Sequence, residues 1–249
     1  MRFTSGVGAP TLRALQLNLC DSGIAPCYTG RSVAAAAAVL RDRRPDIVTL
    51  NEVCRADVSA LKRPLSAGHP DRVVVSAFQP AGDRRSDGAF RCLNGQQYGI
   101  GIVALLPSSV RRYDIYRGVY PMQDLADPEE RVWLCIHAAP AFYACTTHAA
   151  STSTTIALAQ CRYLLNSAVP SMRRRGGVDP VVLGADLNLL ADHTPGPQSC
   201  LPDGYQRVDD GVRQDIVTSP GLAPRSPAII SMRGTTDHPA LLAELTLTR

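Results

Sequence analysis

The chain has 249 residues, of which 45% are hydrophobic and 19% charged, and its formal net charge is +4. This composition excludes intrinsic disorder as the main state, because the chain is long and apolar enough to bury a core. No run of about 18 apolar residues occurs, which excludes a membrane-spanning helix. Lys62 is the only lysine, so 25 of the 26 basic residues are arginine. Arginine binds phosphate bidentately, and the mild positive charge hints at a polyanionic partner.

Short β-like runs alternate with a few helical ones along the chain. Nine strands are predicted from apolar runs, at Leu12–Leu19, Asp46–Val53, Val73–Phe78, Tyr98–Leu106, Arg131–His137, Phe142–His148, Pro180–Leu183, Arg213–Val217 and Leu241–Leu247. Helices are predicted at Ser32–Arg43 and Thr155–Arg174, and loops at 62–72, 80–97 and 192–204. Many strands with few long helices favour a two-sheet α/β sandwich. Because no long linker divides the chain, we expect one domain over residues 1–249.

Eight cysteines are spread along the chain without the paired spacing of a zinc site. They are Cys20, Cys27, Cys54, Cys92, Cys135, Cys145, Cys161 and Cys200. Their even number favours disulfides over free thiols or metal ligation. Pairing in sequence order is the simplest of 105 connectivities, and it would place Cys135 opposite Cys145 across a hairpin near Pro140.

Disulfides imply an oxidising compartment, so we expect a secreted or otherwise exported protein. The first residues, Met1 to Gly6, are not followed by the apolar segment of a signal peptide. We therefore expect the export signal to lie on a removed leader or on a carrier segment that is not present in this sequence.

Polar side chains follow several predicted strands at the point where each strand ends. Asn18, Glu52 and His148 each end a strand, and Asp186 and Asn188 follow another. Strand ends are where a sheet presents side chains to a common mouth. Each motif alone is typical of an ordinary turn. Their combination and order indicate a site.

In this order, the motifs resemble the endonuclease/exonuclease/phosphatase superfamily, with the deoxyribonuclease I-like fold. Six motifs between about residues 12 and 247 carry the resemblance: Leu15-Gln16-Leu17-Asn18, Pro45 to Val53, Glu129-Glu130-Arg131, Thr147-His148, Gly184 to Asn188, and Thr236-Asp237-His238-Pro239. The resemblance implies a four-layer α/β sandwich with two central, mostly antiparallel β-sheets. It also implies a divalent-metal phosphodiesterase site at one edge.

The resemblance implies that Glu52 is the main metal carboxylate, with Asn18 beside it and Asp237 adding a metal or water contact. Oxygen ligands of this kind suit Mg²⁺, with Mn²⁺ or Ca²⁺ as alternatives. The family pattern usually has Gln before the metal glutamate. Here the position is Asn51, which we expect to keep a similar role.

The same resemblance implies the catalytic roles. Asp186 and Asn188 are expected to hold the attacking water and the phosphate, and His238, oriented by Asp215, to activate that water. His148 is expected to stabilise the pentacovalent phosphate or to protonate the leaving oxygen. Related proteins have a Glu near the position of Tyr98 that supports this histidine.

In this sequence the nearest residues to that supporting Glu are Gln96 and Gln97. Three further residues are expected to contact the substrate phosphate. Arg55 follows the metal carboxylate closely in sequence, and Glu130 and Arg131 form the motif before a strand.

We therefore expect an exported Mg²⁺-dependent nuclease, a monomer that cleaves DNA phosphodiester bonds. A toxin domain with a cognate inhibitor or a delivery module is one form of this interpretation. The alternative is a sphingomyelinase-like enzyme or another phosphodiesterase or phosphatase on the same scaffold. An intracellular repair enzyme and a binding protein without catalysis are less consistent with eight cysteines and a complete polar set.

Overall fold

The computed structural model describes residues 11–110, 112–225 and 227–248. Within these ranges the strands in chain order are β1 (Thr11–Asn18), β2 (Ile47–Cys54), β3 (Val74–Pro80), β4 (Gly82–Asp83), β5 (Gly88–Ala89), β6 (Tyr98–Leu105), β7 (Arg112–Val119), β8 (Glu129–Glu130), β9 (Val132–Ala139), β10 (Phe142–His148), β11 (Val181–Asp186), β12 (Gln206–Asp209), β13 (Gln214–Thr218), β14 (Leu222–Pro224), β15 (Ala228–Ile230) and β16 (Ala240–Leu247). The helices are α1 (Ser32–Arg43), α2 (Arg55–Gly68), α3 (Thr154–Tyr163) and α4 (Val169–Gly176). A π-helical segment, Leu164–Ala168, joins α3 to α4, and a 3₁₀ turn covers Pro197–Cys200.

Two large sheets form the centre of the molecule. The first runs in the order β14-β16-β1-β2-β6-β3, with β15 also paired to β16, and the second runs β12-β13-β11-β10-β9-β7. Strands β1 and β2 are parallel, as are β10 and β11, whereas the other pairs described in these two sheets are antiparallel. A small third sheet, β5-β4-β8, lies at the periphery.

Three apolar clusters define four layers. Ile102 of the first sheet and Leu134 of the second belong to the cluster between the sheets. On the outer face of the first sheet, α1 and α2 bury residues such as Leu40 and Leu61. On the outer face of the second sheet, α3, the π-helical segment and α4 bury residues such as Leu165. The order helix, sheet, sheet, helix is the predicted α/β sandwich, so that prediction is confirmed.

Helix α2 and strand β7 are the longest elements that the sequence prediction missed, and the short strands β4, β5, β8, β12, β14 and β15 were not predicted either. Helix α2 starts directly where β2 ends and runs to Gly68, so the loop predicted at 62–72 is wrong over its first part. The helix buries Val58, Leu61 and Leu65, which recur at helical spacing. Strand β7 was not predicted, because it is an edge strand that alternates exposed and half-buried residues and contains Gly118.

All eight cysteines form disulfides, in the sequence order expected. The pairs are Cys20–Cys27, Cys54–Cys92, Cys135–Cys145 and Cys161–Cys200. Cys135 lies opposite Cys145 in the antiparallel β9–β10 register. Four disulfides are typical of proteins that fold in oxidising compartments.

Among the described residues, the structure contains no helix long and apolar enough to cross a membrane.

Candidate active site

The ends of four strands meet at one edge of the sandwich. Parallel pairing of β1 with β2 places Asn18 opposite Asn51, and parallel pairing of β10 with β11 places His148 opposite Asp186. The two sheets are joined here, because the backbone N–H of Asp186 donates to Asn51 Oδ1 at 2.8 Å. The sequence prediction that these strand ends share one mouth therefore agrees with the placement of their side chains.

A buried polar network beneath this edge holds the sheets close together. Gln16 Nε2 donates to Asn51 Oδ1 at 2.6 Å, and Thr49 Oγ1 donates to Gln16 Oε1 at 2.6 Å. Gly184 of β11 faces this pair, and a Cβ there would overlap Thr49 Oγ1. Glycine is required at this position for the close approach of the two sheets. The network therefore fixes the positions of the strand ends above it.

Two carboxylates are bridged by one amide at the centre of the edge. Asn18 Nδ2 donates to Glu52 Oε1 at 2.8 Å and to Asp186 Oδ2 at 3.0 Å. Asn18 Oδ1 accepts from the backbone N–H of Cys20 at 3.2 Å. In this conformation Asn18 holds the two carboxylates together through its nitrogen.

Two residues of the cluster have left-handed backbone conformations. The φ angle is 55° at Glu52 and 52° at Asn188. The β2–β6 register shifts between Leu50 and Val53, which indicates a bulge that turns Glu52 out of the regular strand. Non-glycine residues in this conformation are uncommon and cluster at functional sites.

The electrostatics of the cluster suit a divalent cation. Burial raises the pKa of Glu52, and the nearby Asp186 and Asp237 carboxylates raise it further, while the Asn18 hydrogen bond opposes them. Burial also raises the pKa of Asp186, against the lowering effect of His238. Two buried carboxylates that share one amide concentrate negative charge at this point of the edge. The carboxylate oxygens of Glu52 and Asp186 are hard ligands of the kind that fit Mg²⁺ or Mn²⁺.

Both predicted histidines reach this cluster from different strands and loops. His148 Nε2 lies 3.8 Å from Glu52 Oε1, and His238 Nε2 lies 3.5 Å from Asp186 Oδ2. His238 Nε2 is also 3.9 Å from Asp237 Oδ1, whose side chain is half exposed. The structure thus brings together His148, His238, Glu52, Asp186 and Asp237.

His148 is buried and has no carboxylate behind its ring in the described chain. Burial holds the pKa of His148 well below its usual range, and the positive charges of Arg131 and His238 lower it further. Its Nδ1 has no hydrogen-bond partner. Gln96 Oε1 instead accepts from the backbone N–H of Ala56 at 2.9 Å. His148 is therefore a neutral imidazole at neutral pH.

Asp215 does not occupy the place predicted for it. Its Oδ1 lies 2.6 Å from Arg207 Nη1, and no ion pair joins it to His238 among the described residues. Successive side chains of a strand point to opposite faces, so the preceding residue faces the site instead. Gln214 accepts from the Asn18 N–H at 3.1 Å and donates to the carbonyl of Pro239 at 2.7 Å.

Gln214 is thus a site residue that the sequence prediction missed. It joins the end of β1 to the residue that follows His238. Alternate residues of a strand share a face, and Ile216 of β13 lies in the core between the two sheets. The same face therefore includes Gln214 and not Asp215, which the sequence could have shown.

Arg131 is a buried cation near the cluster. Its guanidinium lies 2.6 Å from Asp127 and 3.3 Å from Glu129, and it lowers the pKa of both Glu52 and His148. Burial raises the pKa of Glu129 to about 7, although Arg131 opposes the shift. Glu130 pairs across the small sheet with Gly82. Arg131 is thus buried between Asp127 and Glu129, whereas Glu130 forms no ion pair with it among the described residues, and the expected contact of both with the substrate phosphate stays a prediction.

Two other predicted residues lie at the rim. Arg55 is exposed at the start of α2, and its guanidinium carbon lies 5.6 Å from the centroid of the Phe78 ring. Asn188 is half buried, and its Nδ2 donates to the carbonyl of Ala149 at 3.0 Å. Its backbone N–H donates to Asp186 Oδ1 at 3.0 Å, which ties it to the carboxylate cluster.

A second acidic pair lies behind the site. Asp21 and Asp57 have carboxylate oxygens within 4.8 Å of each other and of the Cys54 sulfur, which is held in a disulfide and is not a metal ligand. Burial, followed by the Asp21 carboxylate, raises the pKa of Asp57 to about 7. Asp57 Oδ2 also accepts from the Cys54 N–H at 2.6 Å, which caps α2.

This pair predicts a pH-dependent stability. The pKa of Asp57 is raised in the folded state, so its contribution is present below its unfolded pKa and is lost as pH rises through about 7. Asp57→Asn keeps an acceptor for the cap. Because unfolded Asp57 ionises near 3.8, the wild type has already lost part of this stability at pH 5, and we expect the stabilisation by Asp57→Asn to be larger at pH 8.5 than at pH 5 by about 1–2 kcal/mol, allowing for solvent screening. Urea unfolding of both proteins at the two pH values measures this, and an equal difference at both would contradict it.

Comparison with protein-family models finds no match, and comparison with curated protein sequences finds none either. Solved structures do match. An endonuclease/exonuclease/phosphatase family protein from Bacteroides thetaiotaomicron is 14% identical over 97% of this chain and 100% of its own, with a TM-score of 0.64. The human Nocturnin catalytic domain with bound sulfate anion is 15% identical over 96% and 94%, with a TM-score of 0.67. An endonuclease/exonuclease/phosphatase from Beutenbergia cavernae is 18% identical over 95% and 72%, with a TM-score of 0.65.

These likenesses show the fold. The chain has the α/β sandwich of the endonuclease/exonuclease/phosphatase proteins, as its motifs predicted.

Proposed function

We propose that this protein is a divalent-metal-dependent phosphodiesterase that hydrolyses nucleic acid, with DNA as the expected substrate. The observation that carries the proposal is the cluster of two buried carboxylates and two histidines where the two sheets meet. Such a set of oxygen ligands beside an acid–base pair is what metal-assisted hydrolysis requires. The bound sulfate of Nocturnin, a tetrahedral oxyanion, supports a phosphate ligand for this fold.

Glu52 would hold the metal ion, with Asp186 and Asp237 within the same cluster. When bound, the metal supplies positive charge to the non-bridging phosphate oxygens. The Asn18 amide donates a hydrogen bond to both Glu52 and Asp186 and so joins them. We infer that Asn18 and Gln214 keep the carboxylates in place rather than acting on the substrate themselves.

His238 and Asp186 are placed to activate water. His238 Nε2 and Asp186 Oδ2 are 3.5 Å apart, so one water molecule can contact both. As the water oxygen attacks phosphorus, its proton passes to His238 Nε2. The bond from phosphorus to the leaving oxygen breaks, and that oxygen keeps the electron pair and takes a proton from solvent. Proton transfer of this kind contributes about 10²–10⁴-fold to a rate.

His148 acts on the phosphate, and Arg131 acts through His148. A neutral His148 donates a hydrogen bond from Nε2 to a non-bridging oxygen, which stabilises the developing charge. Arg131 lies behind it, and its charge also keeps His148 neutral. This division of roles makes His148 a hydrogen-bond donor, whereas the sequence alone also allowed a proton donor.

We also propose export, since four disulfides require an oxidising compartment to form and persist. The single domain over residues 1–249, a monomeric state, and a toxin role with an inhibitor or delivery module stay predictions from the sequence.

A plasmid-nicking assay tests the proposal. We expect the wild type to nick supercoiled DNA in Mg²⁺ and to lose this activity in excess chelator. His238→Ala is expected to lower the rate by about 10²–10⁴-fold, as for removal of a general base. His148→Ala is expected to lower the rate by about 10²–10³-fold, as for removal of one oxyanion donor. If both variants have wild-type thermal stability and nick DNA at the wild-type rate, the catalytic roles proposed for the two histidines are contradicted.

A lipid phosphodiesterase is the second candidate function. The observation that favours it is a pair of exposed apolar side chains beside the site: Ile24 is 61% exposed and Leu93 is 75% exposed. Their loops are held by the Cys20–Cys27 and Cys54–Cys92 disulfides. Release of phosphocholine from sphingomyelin vesicles, without cleavage of DNA, would decide for this function.

A further inference from the structure

A polar cleft of about 390 Å³ opens beside the proposed active site. Its walls include Asn188 and Arg213 on one side and the segment Ser151 to Thr154 on the other, and His193 lies at its mouth. None of the residues that line it is acidic. We call this space the Arg213 cleft.

Arg213 supplies the main positive charge of the cleft. Its Nη1 lies 3.2 Å from Asn188 Oδ1, and no carboxylate lies within ion-pair distance of it among the described residues. Its backbone is fixed by Asp210, which accepts from the N–H groups of Val212, Arg213 and Gln214 at 2.8 to 3.1 Å. Arg213 is therefore an unpaired guanidinium on a rigid turn.

The opposite wall also favours an anion. Helix α3 has ten residues and begins at Thr154, which lines the cleft, so the positive end of the helix dipole lies at this wall; Ser153 Oγ caps the N–H of Ile156. Ser151 Oγ already accepts from Arg131 at 3.3 Å, so its hydroxyl hydrogen remains available to a ligand. The wall thus presents donors across from Arg213.

Asn188 connects this cleft to the catalytic cluster. Its backbone N–H donates to Asp186 Oδ1, and its side-chain oxygen faces Arg213. Asn188 therefore separates a ligand in the cleft from the phosphate on which Asp186 and His238 would act. The walls are polar and carry the charge of Arg213, and the nearby carboxylates of Asp124 and Asp192 contact Thr152 and His193 without lining the cleft themselves. The cleft therefore does not suit an apolar acyl chain or a choline cation.

We propose that the Arg213 cleft is a second phosphate subsite, which holds the phosphate next to the scissile one and selects substrates that carry more than one phosphate. This inference rests on the proposed function, because the proposed function defines which phosphate is the scissile one. Arg213, with His193 at the entrance, is then a specificity determinant. The preferred substrates are then oligonucleotides or polynucleotides, and a diester with a single phosphate is bound more weakly.

Three dinucleotides that differ by one phosphate test this directly. They are the thymidine dinucleotide with a single internal phosphate, the same molecule with an added 5′ phosphate, and the same molecule with an added 3′ phosphate. Calorimetric titration in chelator measures their binding without hydrolysis. We expect one of the two phosphorylated forms to bind the wild type about tenfold or more tightly than the plain dinucleotide, as for a charge-assisted contact.

Four variants test whether the tighter binding of the phosphorylated dinucleotide depends on the Arg213 cleft. Arg213→Gln is expected to abolish it, His193→Gln to reduce it, and Arg213→Lys to retain part of it. Arg225→Gln is the matched control, since Arg225 contacts Thr246 at the end of β16 far from His238 and should leave the gain intact.

Equal binding of the three dinucleotides, or a gain that persists in Arg213→Gln, would overturn the subsite. The same molecules, incubated with wild type and Mg²⁺, separate this outcome from failure of the proposed function. If a phosphorylated dinucleotide binds more tightly but none of the three is hydrolysed, the subsite stands and the proposed phosphodiesterase activity is contradicted. If all three are hydrolysed and bind with equal affinity, the activity stands and the subsite is contradicted.

Discussion

Glu52→Gln is expected to lower the rate of DNA cleavage in Mg²⁺ by about a thousandfold. The reason is that a neutral amide holds a divalent ion much more weakly than a carboxylate does, and loss of several kcal/mol of charge stabilisation in the transition state corresponds to about that factor. The folded protein without metal should be as stable as the wild type or more so, because burial already raises the pKa of this carboxylate.

Thermal unfolding with and without Mn²⁺ separates these effects. An ion that binds only the folded wild type raises its melting temperature, and the rise should be absent in Glu52→Gln. Glu244→Gln is the control, because Glu244 is an exposed carboxylate paired with Arg13 at 3.2 Å. A metal-dependent rise in the Glu52 variant equal to that of the wild type would show that the ion binds elsewhere.

The disulfides are expected to carry the second large effect. Cys161–Cys200 and Cys54–Cys92 span sequence separations of 39 and 38 residues, and Cys20–Cys27 spans 7. Because a cross-link restricts the unfolded chain more when its loop is longer, we expect a loss of about 4 kcal/mol when either long pair is replaced by alanine, and about 2 kcal/mol for the short pair. Urea unfolding of the three double variants measures these losses.

We expect the two long disulfides to differ in their effect on DNA cleavage. Cys54 is two residues from Glu52, whereas Cys161 and Cys200 join α3 to the turn at Pro197–Cys200 on the outer face of the second sheet. We therefore expect the Cys54→Ala, Cys92→Ala variant to lose activity at temperatures where it remains folded. The Cys161→Ala, Cys200→Ala variant should keep it, and a matching loss in both would contradict a local role for Cys54–Cys92.

The positions of the strand ends were predictable because they follow from short apolar runs that stop at polar residues. Asn18, Glu52 and Asp186 were each found in this way, and parallel pairing brings them to one edge. Helix α2 was not found, although Val58, Leu61 and Leu65 recur at helical spacing. Its first residue follows a strand without a break, and Pro64 and Gly68 are typical of loops.

The residues behind the site were harder to predict, because they depend on strand faces and on contacts far along the chain. A one-residue shift in a strand exchanges its two faces, and it separates Gln214 at the site from Asp215 beside Arg207. Likewise, the Arg213 cleft forms between a turn at residue 213 and a helix start at residue 154, which no local pattern connects.

The most direct test of the central claim is the hydrolysis of bis(p-nitrophenyl) phosphate, a diester with one phosphate and no nucleic-acid features. Release of p-nitrophenol is followed against Mg²⁺ and Mn²⁺ concentration for the wild type and for Glu52→Gln. We expect a rate that saturates with metal in the wild type, falls to the uncatalysed level in chelator, and stays near that level in the variant. A wild-type rate independent of metal, or equal rates for the two proteins, would contradict a metal-dependent phosphodiesterase centred on Glu52.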